Sequence, residues 1–267
     1  MNLDFHELAR FAEKVTRTAG KKIVELRHTS TVTKSFKHAG ELVTSADLES
    51  DRIIREAITS CYPDHFILSE ESEVQSGDVR FGPVWVVDPL DGTVNYAHQL
   101  PHFAVSLAFA VDGVVWAGAV HAPDLNCTYV GIRQEGAFCN GERLQVRAAT
   151  SLSDAVVGTG FPHDKSLLLP AQTTVNLLTR HCRDIRRFAA PTVDICYVAA
   201  GKLDAHTETL RPWDVAAAGL IAREAGALMG HVGAVPAEVP VELFGDRVVY
   251  ATPGIFQDLL DVLRSSE

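Results

Sequence analysis

The sequence predicts an α+β fold, in which helices pack against β-sheets. Three observations indicate this class. Apolar residues recur at helical spacing near the N-terminus, strand-like runs joined by tight turns fill the middle, and strand and helix patterns alternate after residue 150. No flexible linker interrupts the first half. We therefore expect a single unit over residues 1–267, with an N-terminal half at 1–150 and a C-terminal half at 151–267.

The first 62 residues predict two helices separated by a polar segment. Apolar positions recur at helical spacing over residues 4–26 and again after Ser45, up to Tyr62 and Pro63. Thr44 and Ser45 supply N-cap side chains for the second helix, which places Asp47 in its first turn. Residues 29–40 between the helices are polar and basic, which predicts a loop or an irregular hairpin.

Two short apolar runs each end in acidic residues. The run at residues 66–68 is followed by Glu70, and the run at 84–87 is followed by Asp88. Because Pro89 has no N–H for a sheet hydrogen bond, we expect the second strand to stop there. Asp91 and the two residues after it then form a turn with free amide groups.

The rest of the chain carries strand, turn and helix signals in close succession. We expect a hairpin at 103–120 turning at Asp112 and Gly113, then strand and turn signals at 129–146. Further strands are predicted at 155–158, 184–188 and 248–251. Helices are predicted at 165–181, at 192–201, from Pro212 onward with Asp214 in the first turn and apolar spacing as far as Leu228, and at 255–263.

Composition excludes several classes of protein. Apolar residues make up 46% of the 267 residues and charged residues 22%, and no apolar stretch is long enough to span a bilayer. The N-terminus has no signal-peptide pattern, and the five cysteines show no Cys-x-x-Cys spacing, so we expect a cytoplasmic protein with reduced thiols. A net charge of −10 argues against a nucleic-acid partner.

Four carboxylates at predicted element ends suggest a metal site. Glu70, Asp88, Asp91 and Asp214 are hard oxygen donors, and the main-chain carbonyl of Leu90 lies between two of them. Magnesium prefers such donors, and two ions can activate a water molecule and stabilise a leaving oxygen in phosphoester hydrolysis. Burying this much negative charge without cations would be costly. The group therefore predicts Mg²⁺ binding, whereas any one acid alone would be interpreted as a cap or a solvated charge.

The turn after Asp91 suggests how a phosphate would be held. The amides of Gly92 and Thr93 are placed to bind phosphate oxygens, and the Thr93 hydroxyl, bonded to a carboxylate such as Asp47, would orient and deprotonate the attacking water. Other acid-based enzymes do not fit. Aspartyl-phosphate phosphatases need Asp-x-Asp, aspartic proteases need Asp-Thr-Gly, and neither a P-loop nor a Gly-x-Ser-x-Gly elbow is present.

Several motifs together resemble the inositol monophosphatase family. They span nearly the whole chain and comprise Leu-Val-Thr-Ser-Ala-Asp at 42–47, Leu-Ser-Glu-Glu-Ser at 68–72, Asp-Pro-Leu-Asp-Gly-Thr-Val-Asn at 88–95, Gly-Thr-Gly-Phe-Pro at 158–162, Tyr-Val-Ala-Ala-Gly-Lys-Leu-Asp at 197–204 and Trp-Asp-Val-Ala-Ala at 213–217. The resemblance implies a layered α-β-α-β-α sandwich like that of inositol monophosphatase and fructose-1,6-bisphosphatase. It also implies magnesium dependence, lithium sensitivity and a homodimer.

The same resemblance implies roles for individual residues. Thr93 with Asp47 resembles the water-activating pair, and Glu70 joins them as a catalytic residue that also helps to hold a third ion. The first metal would be held by Glu70, Asp88 and the Leu90 carbonyl, and the second by Asp88, Asp91 and Asp214. The substrate-binding set implied is Asp91, Gly92, Thr93, Ala189, Pro191, Thr207, Glu208 and Asp214.

The substrate-selecting positions depart from the family pattern. Where members carry Gly-Ser-Ala-Ala, this chain has Ala-Ala-Pro-Thr at 189–192, and Pro191 removes an amide that would bond a substrate hydroxyl. On an ungapped alignment the family's substrate-binding glutamate is replaced by Thr207. Glu208 lies one position away and would take this role if the strand is shifted or bulged.

These observations predict Mg²⁺-dependent hydrolysis of a small phosphomonoester, with inositol monophosphate or a related polyol or sugar phosphate as substrate. Histidinol phosphate, fructose 1,6-bisphosphate and a 3′-phosphonucleotide remain alternatives for the same chemistry. A hypothesis from another class is a regulatory binding protein with vestigial activity. Two or three magnesium ions, a phosphorylated small molecule and a second copy of the chain are the expected partners, with no nucleic acid and no membrane.

Overall fold

The computed structural model describes residues 4–29, 34–36, 42–71, 80–162 and 168–265. Seven α-helices and fourteen strands lie in these ranges. The helices are α1 (Phe5–His28), α2 (Ser45–Cys61), α3 (Thr93–Ala97), α4 (Leu168–His181), α5 (Pro191–Ala199), α6 (Pro212–Glu224) and α7 (Pro253–Arg264). The strands are β1 (Lys34–Phe36), β2 (Leu42–Thr44), β3 (Phe66–Ser69), β4 (Pro83–Asp91), β5 (Ala104–Val111), β6 (Val114–Ala122), β7 (Cys127–Ile132), β8 (Gly136–Cys139), β9 (Glu142–Arg143), β10 (Val156–Thr159), β11 (Asp184–Arg186), β12 (Ala205–Glu208), β13 (Leu228–His231) and β14 (Val248–Ala251).

The N-terminal half is dominated by a seven-stranded sheet in the order β3-β4-β5-β6-β7-β8-β9. Strands β3 and β4 run parallel, so their carboxyl ends meet at one edge, and each later pair is antiparallel. The expected hairpin joins β5 to β6 through Asp112 and Gly113, whose φ angles of 51° and 76° fit a tight hairpin turn.

The C-terminal half forms a five-stranded sheet in the order β11-β10-β12-β14-β13. Strand β10 is parallel to both of its neighbours, and β14 is antiparallel to β12 and β13. In β12 the residues alternate between two faces, as any strand requires. Ala205 and Thr207 share the face that packs on α4 and α7, and His206 and Glu208 share the face toward α5 and α6.

The helices and the two sheets stack in five layers, held together by three hydrophobic cores. One core packs α1 and α2 on the large sheet, a second fills the space between the two sheets around α5 and α6, and a third packs α4 and α7 on the outer face of the small sheet. The order is therefore α-β-α-β-α, which confirms the predicted fold class. The division into halves at residue 150 remains a prediction.

A buried ion-pair network attaches α6 to the large sheet. The Glu242 carboxylate accepts hydrogen bonds from Arg223 on α6 at 2.7 Å, from Arg133 at 2.9 Å and from the Val115 amide on β6 at 2.8 Å. Burial alone would raise the pKa of Glu242, but these donors, led by Arg223, lower it below its usual range. The helix that carries Asp214 is thus fixed against the sheet.

Most of the expected elements are present, and three expectations need correction. Strand β4 does not stop at Pro89 but runs to Asp91. Helix α6 ends at Glu224 instead of continuing to Leu228, because Gly226 adopts a left-handed φ of 101° that no helix continues through. Strands β12 and β13 were not assigned from sequence. The expected loop at 29–40 lies mostly outside the described residues, except where β1 pairs with β2, and the start of the helix at 165–167 also lies outside them.

No helix among the described residues is long and apolar enough to cross a membrane.

Candidate active site

Three carboxylates converge at the boundary between the two sheets. Asp88, Asp91 and Asp214 each place an oxygen within 4.8 Å of the others. The first two lie at the end of β4, and the third lies in the first turn of α6. Residues 123 positions apart in sequence thus form one cluster of hard oxygen donors.

A β-bulge makes this convergence possible. In a regular strand, residues three apart face opposite sides of the sheet. Here Asp88 pairs with Ser106 and Asp91 pairs with Ala104, so three steps along β4 match two along β5. The extra residue is accommodated where Pro89 has no N–H to place in the ladder. The Leu90 amide donates to Asp88 Oδ1 at 3.1 Å, which holds the bulge in shape.

Asp91 is also anchored to α5. Its Oδ2 accepts hydrogen bonds from the amide of Thr192 at 2.9 Å and from the Thr192 hydroxyl. Burial raises the pKa of Asp91 to about 7, because the bonds from Thr192 offset only part of the desolvation and the nearby Glu208 carboxylate adds to the rise.

The pKa values of the other two acids, Asp88 and Asp214, are also raised. Burial and the charges of Glu70, Asp91 and Asp214 raise the pKa of Asp88 well above its usual value. The pKa of Asp214 is raised by burial and by Asp91, although the Arg211 amide donates to its Oδ2 at 2.7 Å. Like charges held this closely destabilise one another, and a bound cation would relieve the repulsion.

Thr93 and Asp47 form a hydrogen-bonded pair beside the cluster. The Thr93 hydroxyl lies 2.9 Å from Asp47 Oδ1 and 3.0 Å from the Leu90 carbonyl, so its single proton is donated to one of the two. Asp47 Oδ2 accepts from the amide of Thr44 at 2.8 Å and from its hydroxyl at 2.6 Å. Asp47 therefore caps α2 and bonds Thr93 with different oxygens.

Asp47 is almost fully buried, with 2% of its surface exposed. Burial raises its pKa, and the hydrogen bonds from Thr44 and Thr93 offset part of that rise. A carboxylate with a raised pKa is a better proton acceptor for the Thr93 hydroxyl than a solvated one.

Glu70 and the main chain of Leu90 lie beside Asp88, to which the Leu90 amide donates a hydrogen bond. The Glu70 amide donates to the Val87 carbonyl at 3.2 Å, which continues the β3–β4 pairing, and the Glu70 side chain hydrogen-bonds Asp88. Glu70 is not one of the three acids within 4.8 Å of one another. The structure thus places Glu70 next to Asp88 and at the edge of the cluster.

Gly92 lies between the bulge and α3. It is the N-cap residue of α3 and has a left-handed φ of 80°. A Cβ atom here would lie 2.7 Å from the His102 carbonyl and 3.2 Å from the Ala190 Cβ. Only glycine therefore fits both the φ angle and the space.

The segment before α5 approaches α3 closely. The Asn95 side-chain amide donates to the carbonyls of Phe188 at 2.6 Å and Ala189 at 3.3 Å. Ala189 has a φ of 58°, which is unusual for a residue with a side chain. Pro191 is the first residue of α5, where no N–H is needed within the helix.

Thr207 and Glu208 face opposite sides of the small sheet. Thr207 points toward the α4 and α7 layer, away from the acid cluster, and its carbonyl accepts a hydrogen bond from Thr159. Glu208 faces α5, and its charge raises the pKa of Asp91 and Asp214 after the larger effect of burial. Of the two residues considered from sequence, Glu208 is the one whose charge acts on the acid cluster.

Sequence reasoning missed four residues near the cluster. Thr192 follows a proline, a pattern that marks the start of a helix but does not indicate that the Thr192 hydroxyl bonds Asp91. The links of Asn95 to the segment before α5, and of His206 to Asp194, depend on contacts between distant strands and helices. Local sequence patterns carry no signal for such contacts.

Comparison with known proteins identifies the family of this chain. The profile of the inositol monophosphatase family matches residues 4–261. The chain belongs to this family. A Nus factor SuhB from Pasteurella multocida is 36% identical over 268 residues, which cover 96% of each chain.

Solved structures of similar proteins share this fold. An extragenic suppressor protein suhB from Bartonella henselae superposes with a TM-score of 0.88 and 29% identity, over 98% of this chain and 100% of that one. The IMPase from Thermotoga maritima gives a TM-score of 0.84 and 30% identity over 97% of each chain. Membership supports a phosphatase-type function for the chain.

Proposed function

We propose that the protein is a magnesium-dependent phosphomonoesterase that hydrolyses a small polyol or sugar phosphate by direct attack of water. The observation that carries the proposal is the convergence of Asp88, Asp91 and Asp214 within 4.8 Å. Three repelling carboxylates at this distance are unfavourable as a purely structural feature and favourable as a cation site.

The donor set fits magnesium. All the donors are oxygens, and the pKa of each clustered aspartate is raised by burial and by neighbouring acids, so a cation would stabilise the charged forms. We assign Glu70, Asp88 and the Leu90 carbonyl to a first ion, and Asp88, Asp91 and Asp214 to a second, with Glu70 contributing to a third. Bound magnesium would supply positive charge for water activation and for the leaving oxygen.

Thr93 and Asp47 would move the proton. With the Thr93 hydroxyl proton donated to Asp47 Oδ1 at 2.9 Å, the Thr93 oxygen is free to accept a proton from the attacking water. The amides of Gly92 and Thr93 would hold phosphate oxygens.

The substrate would contact two segments besides the acid cluster. We assign Ala189 and Pro191 to one wall and Glu208 to a hydroxyl of the substrate, because Glu208 lies on the cluster side of β12. Inositol monophosphate is the first candidate, and histidinol phosphate, fructose 1,6-bisphosphate and a 3′-phosphonucleotide are the alternatives. We further expect a lithium-sensitive homodimer that acts in the cytoplasm.

The test is phosphate release from inositol 1-phosphate and the alternative esters with magnesium present. We expect activity that requires magnesium and is blocked by lithium. Activity should fall at least about 100-fold in Asp91→Asn, because this change removes the negative charge of a carboxylate that would bind an ion and that accepts hydrogen bonds from Thr192. An Asp91→Asn protein with wild-type activity would contradict the role of Asp91.

The names of the relatives support a second candidate function. Proteins 36–38% identical to this chain are called Nus factor SuhB, which favours a partner-binding role alongside or instead of catalysis. A slow rate that is the same for every ester in the panel would favour this candidate. A rate that depends strongly on the ester and on magnesium would favour the phosphatase.

A further inference from the structure

A fully buried histidine lies between two carboxylates beside the candidate site. His206 has no exposed surface, and its Nε2 atom is 3.5 Å from Glu208 Oε2 while its Nδ1 atom is 3.9 Å from Asp194 Oδ2. Asp194 is 1% exposed and belongs to the first turn of α5. The three side chains form an Asp194–His206–Glu208 array that connects α5 to β12.

The array has unused hydrogen-bonding capacity. Three of its buried polar atoms have no hydrogen-bond partner among the described residues. They are Nδ1 and Nε2 of His206 and Oδ1 of Asp194. Leaving a buried polar group without a partner costs about 1–3 kcal/mol. Both carboxylates lie slightly beyond hydrogen-bond distance, and the terminal torsion of a glutamate is broad and easily turned. A rotation about this torsion would shorten the 3.5 Å separation between Glu208 Oε2 and His206 Nε2.

Neighbouring strand β10 makes room for this array. Gly158 pairs with His206 across the sheet, and a Cβ at Gly158 would lie 2.8 Å from His206 Nδ1. Just past the end of β10, a Cβ at Gly160 would lie 1.9 Å from Glu208 Oε1. Each of these two polar side chains on β12 thus occupies space that a glycine at position 158 or 160 leaves open.

The array adjoins the acids of the cluster. The pKa of Asp194 is raised by burial first and then by the charges of Asp91 and Glu208. The Glu208 charge in turn contributes to the raised pKa of Asp91 and Asp214. Glu208, with 14% of its side chain exposed, is the most exposed member of the array and the one that a substrate would reach.

We infer that His206 is a positioning residue whose Nε2–H group donates to Glu208 and holds that carboxylate in place for a hydroxyl of the substrate. The inference rests on the proposed function, since it concerns how the same site selects polyol phosphates. Glu208 has two oxygens, so one accepts from His206 and the other remains available to the substrate. The site is thereby specific for esters that carry a hydroxyl near the phosphate.

Asp194 would fix the orientation of the ring. The Asp194 Oδ2 atom lies 3.9 Å from Nδ1, so this carboxyl group faces one ring nitrogen while the other, Nε2, faces Glu208 at 3.5 Å.

A set of substitutions at position 206 tests the role of Nε2. His206→Gln retains a donor near the Nε2 position, His206→Asn retains one near Nδ1, and His206→Leu retains neither. We expect KM for inositol 1-phosphate to rise about tenfold in the Asn and Leu variants, to stay within about threefold of wild type in the Gln variant, and kcat to change little. With 4-nitrophenyl phosphate, which has no such hydroxyl, the three variants should match the wild-type enzyme.

Two further variants complete the test. Glu208→Gln should raise KM for inositol 1-phosphate, and so should Gly160→Ala, because the added Cβ displaces the Glu208 carboxylate. Melting temperatures identify any variant that fails to fold. If His206→Leu does not fold, His206→Gln and His206→Asn can still be compared, because they differ in which ring nitrogen they replace with a donor.

Several results would overturn the inference. They are an equal KM in the Gln, Asn and Leu variants, a parallel rise with 4-nitrophenyl phosphate, or a Glu208→Gln enzyme with an unchanged KM. If the wild-type protein hydrolyses none of the esters with magnesium, the proposed function fails first. If it does hydrolyse them and the variants show no selectivity, only the inference about His206 fails.

Discussion

At the scale of single residues, Thr93 has one proton and two acceptors. Asp47 Oδ1 and the Leu90 carbonyl lie 2.9 and 3.0 Å from its hydroxyl oxygen. Asp47 was visible in the sequence only as a residue in a first helical turn, where an acid normally complements the helix dipole. Its second contact depends on a side chain 46 positions away, so the sequence suggested Asp47 only as one candidate carboxylate, and the family resemblance then singled out the pair.

Thr93→Ala tests the proton-transfer role. We expect kcat for inositol 1-phosphate to fall about 10²- to 10⁴-fold with little change in KM, because the variant loses the group that relays a proton to Asp47 but keeps the backbone amides. Thr93→Ser keeps the hydroxyl and should retain most of the activity. Steady-state kinetics with magnesium give both constants, and a Thr93→Ala enzyme within tenfold of wild-type kcat would remove Thr93 from the mechanism.

At the scale of secondary structure elements, the bulge in β4 shows where sequence reasoning succeeds and where it fails. The apolar run and the two aspartates were recognisable, but a strand ending at Pro89 was wrong. A proline interrupts a ladder only where its N–H would be needed, and the register shift between Asp88 and Asp91 removes that need. Register shifts depend on the partner strand and so are not encoded locally.

Strand β12 was missed for a similar reason. Its residues Ala205–Glu208 include histidine, threonine and glutamate, so the apolar alternation that identifies a strand is absent. The polar residues are buried because β10 and α5 surround them. This same environment decides which of Thr207 and Glu208 faces the cluster, a choice that the sequence left open.

Gly92 at the start of α3 allows a prediction with a matched control. Gly92→Ala places a Cβ 2.7 Å from the His102 carbonyl at a left-handed φ, whereas Gly141 has a similar φ of 86° and no atom within 4 Å of such a Cβ. We expect Gly141→Ala to cost about 1 kcal/mol of unfolding free energy from backbone strain alone. Gly92→Ala should cost about 2 kcal/mol or more, because backbone must also move.

Urea denaturation of both variants measures the difference. Equal losses would mean that the contact with His102 is relieved at no cost and that φ alone requires glycine at position 92.

At the scale of the whole molecule, the five layers bring together residues from both sheets. Local patterns placed most helices and strands and suggested that Asp214 joins Asp88 and Asp91, but only the family resemblance indicated how the elements are layered. Packing of α6 between the sheets creates that contact. Long-range packing of this kind is what single-sequence patterns do not contain.

The repulsion within the cluster predicts how stability responds to magnesium. Without magnesium, Asp214→Asn should be more stable than wild type by about 1–2 kcal/mol, since it removes one of three crowded charges. With magnesium at about 100 times its dissociation constant, wild type should gain about 2.7 kcal/mol and the variant much less. Thermal and denaturant unfolding with and without magnesium give these four values.

Asp258→Asn is the control, because Asp258 is exposed on α7 and its loss changes net charge without touching the cluster. If Asp258→Asn reproduces the effects of Asp214→Asn, general charge and not the cluster is responsible. An Asp214→Asn protein that gains as much from magnesium as wild type does would contradict the assignment of Asp214 as a ligand.

The fit between two glycines, one on β10 and one just after it, and polar side chains on β12 has a consequence for redesigning substrate choice. Gly158 and Gly160 leave the volume that His206 and Glu208 fill. A new recognition group grafted onto β12 alone would leave either a void beside a glycine or a clash with any larger residue introduced opposite it. Positions 158 and 160 should therefore be changed together with positions 206 and 208 when the substrate specificity is redesigned.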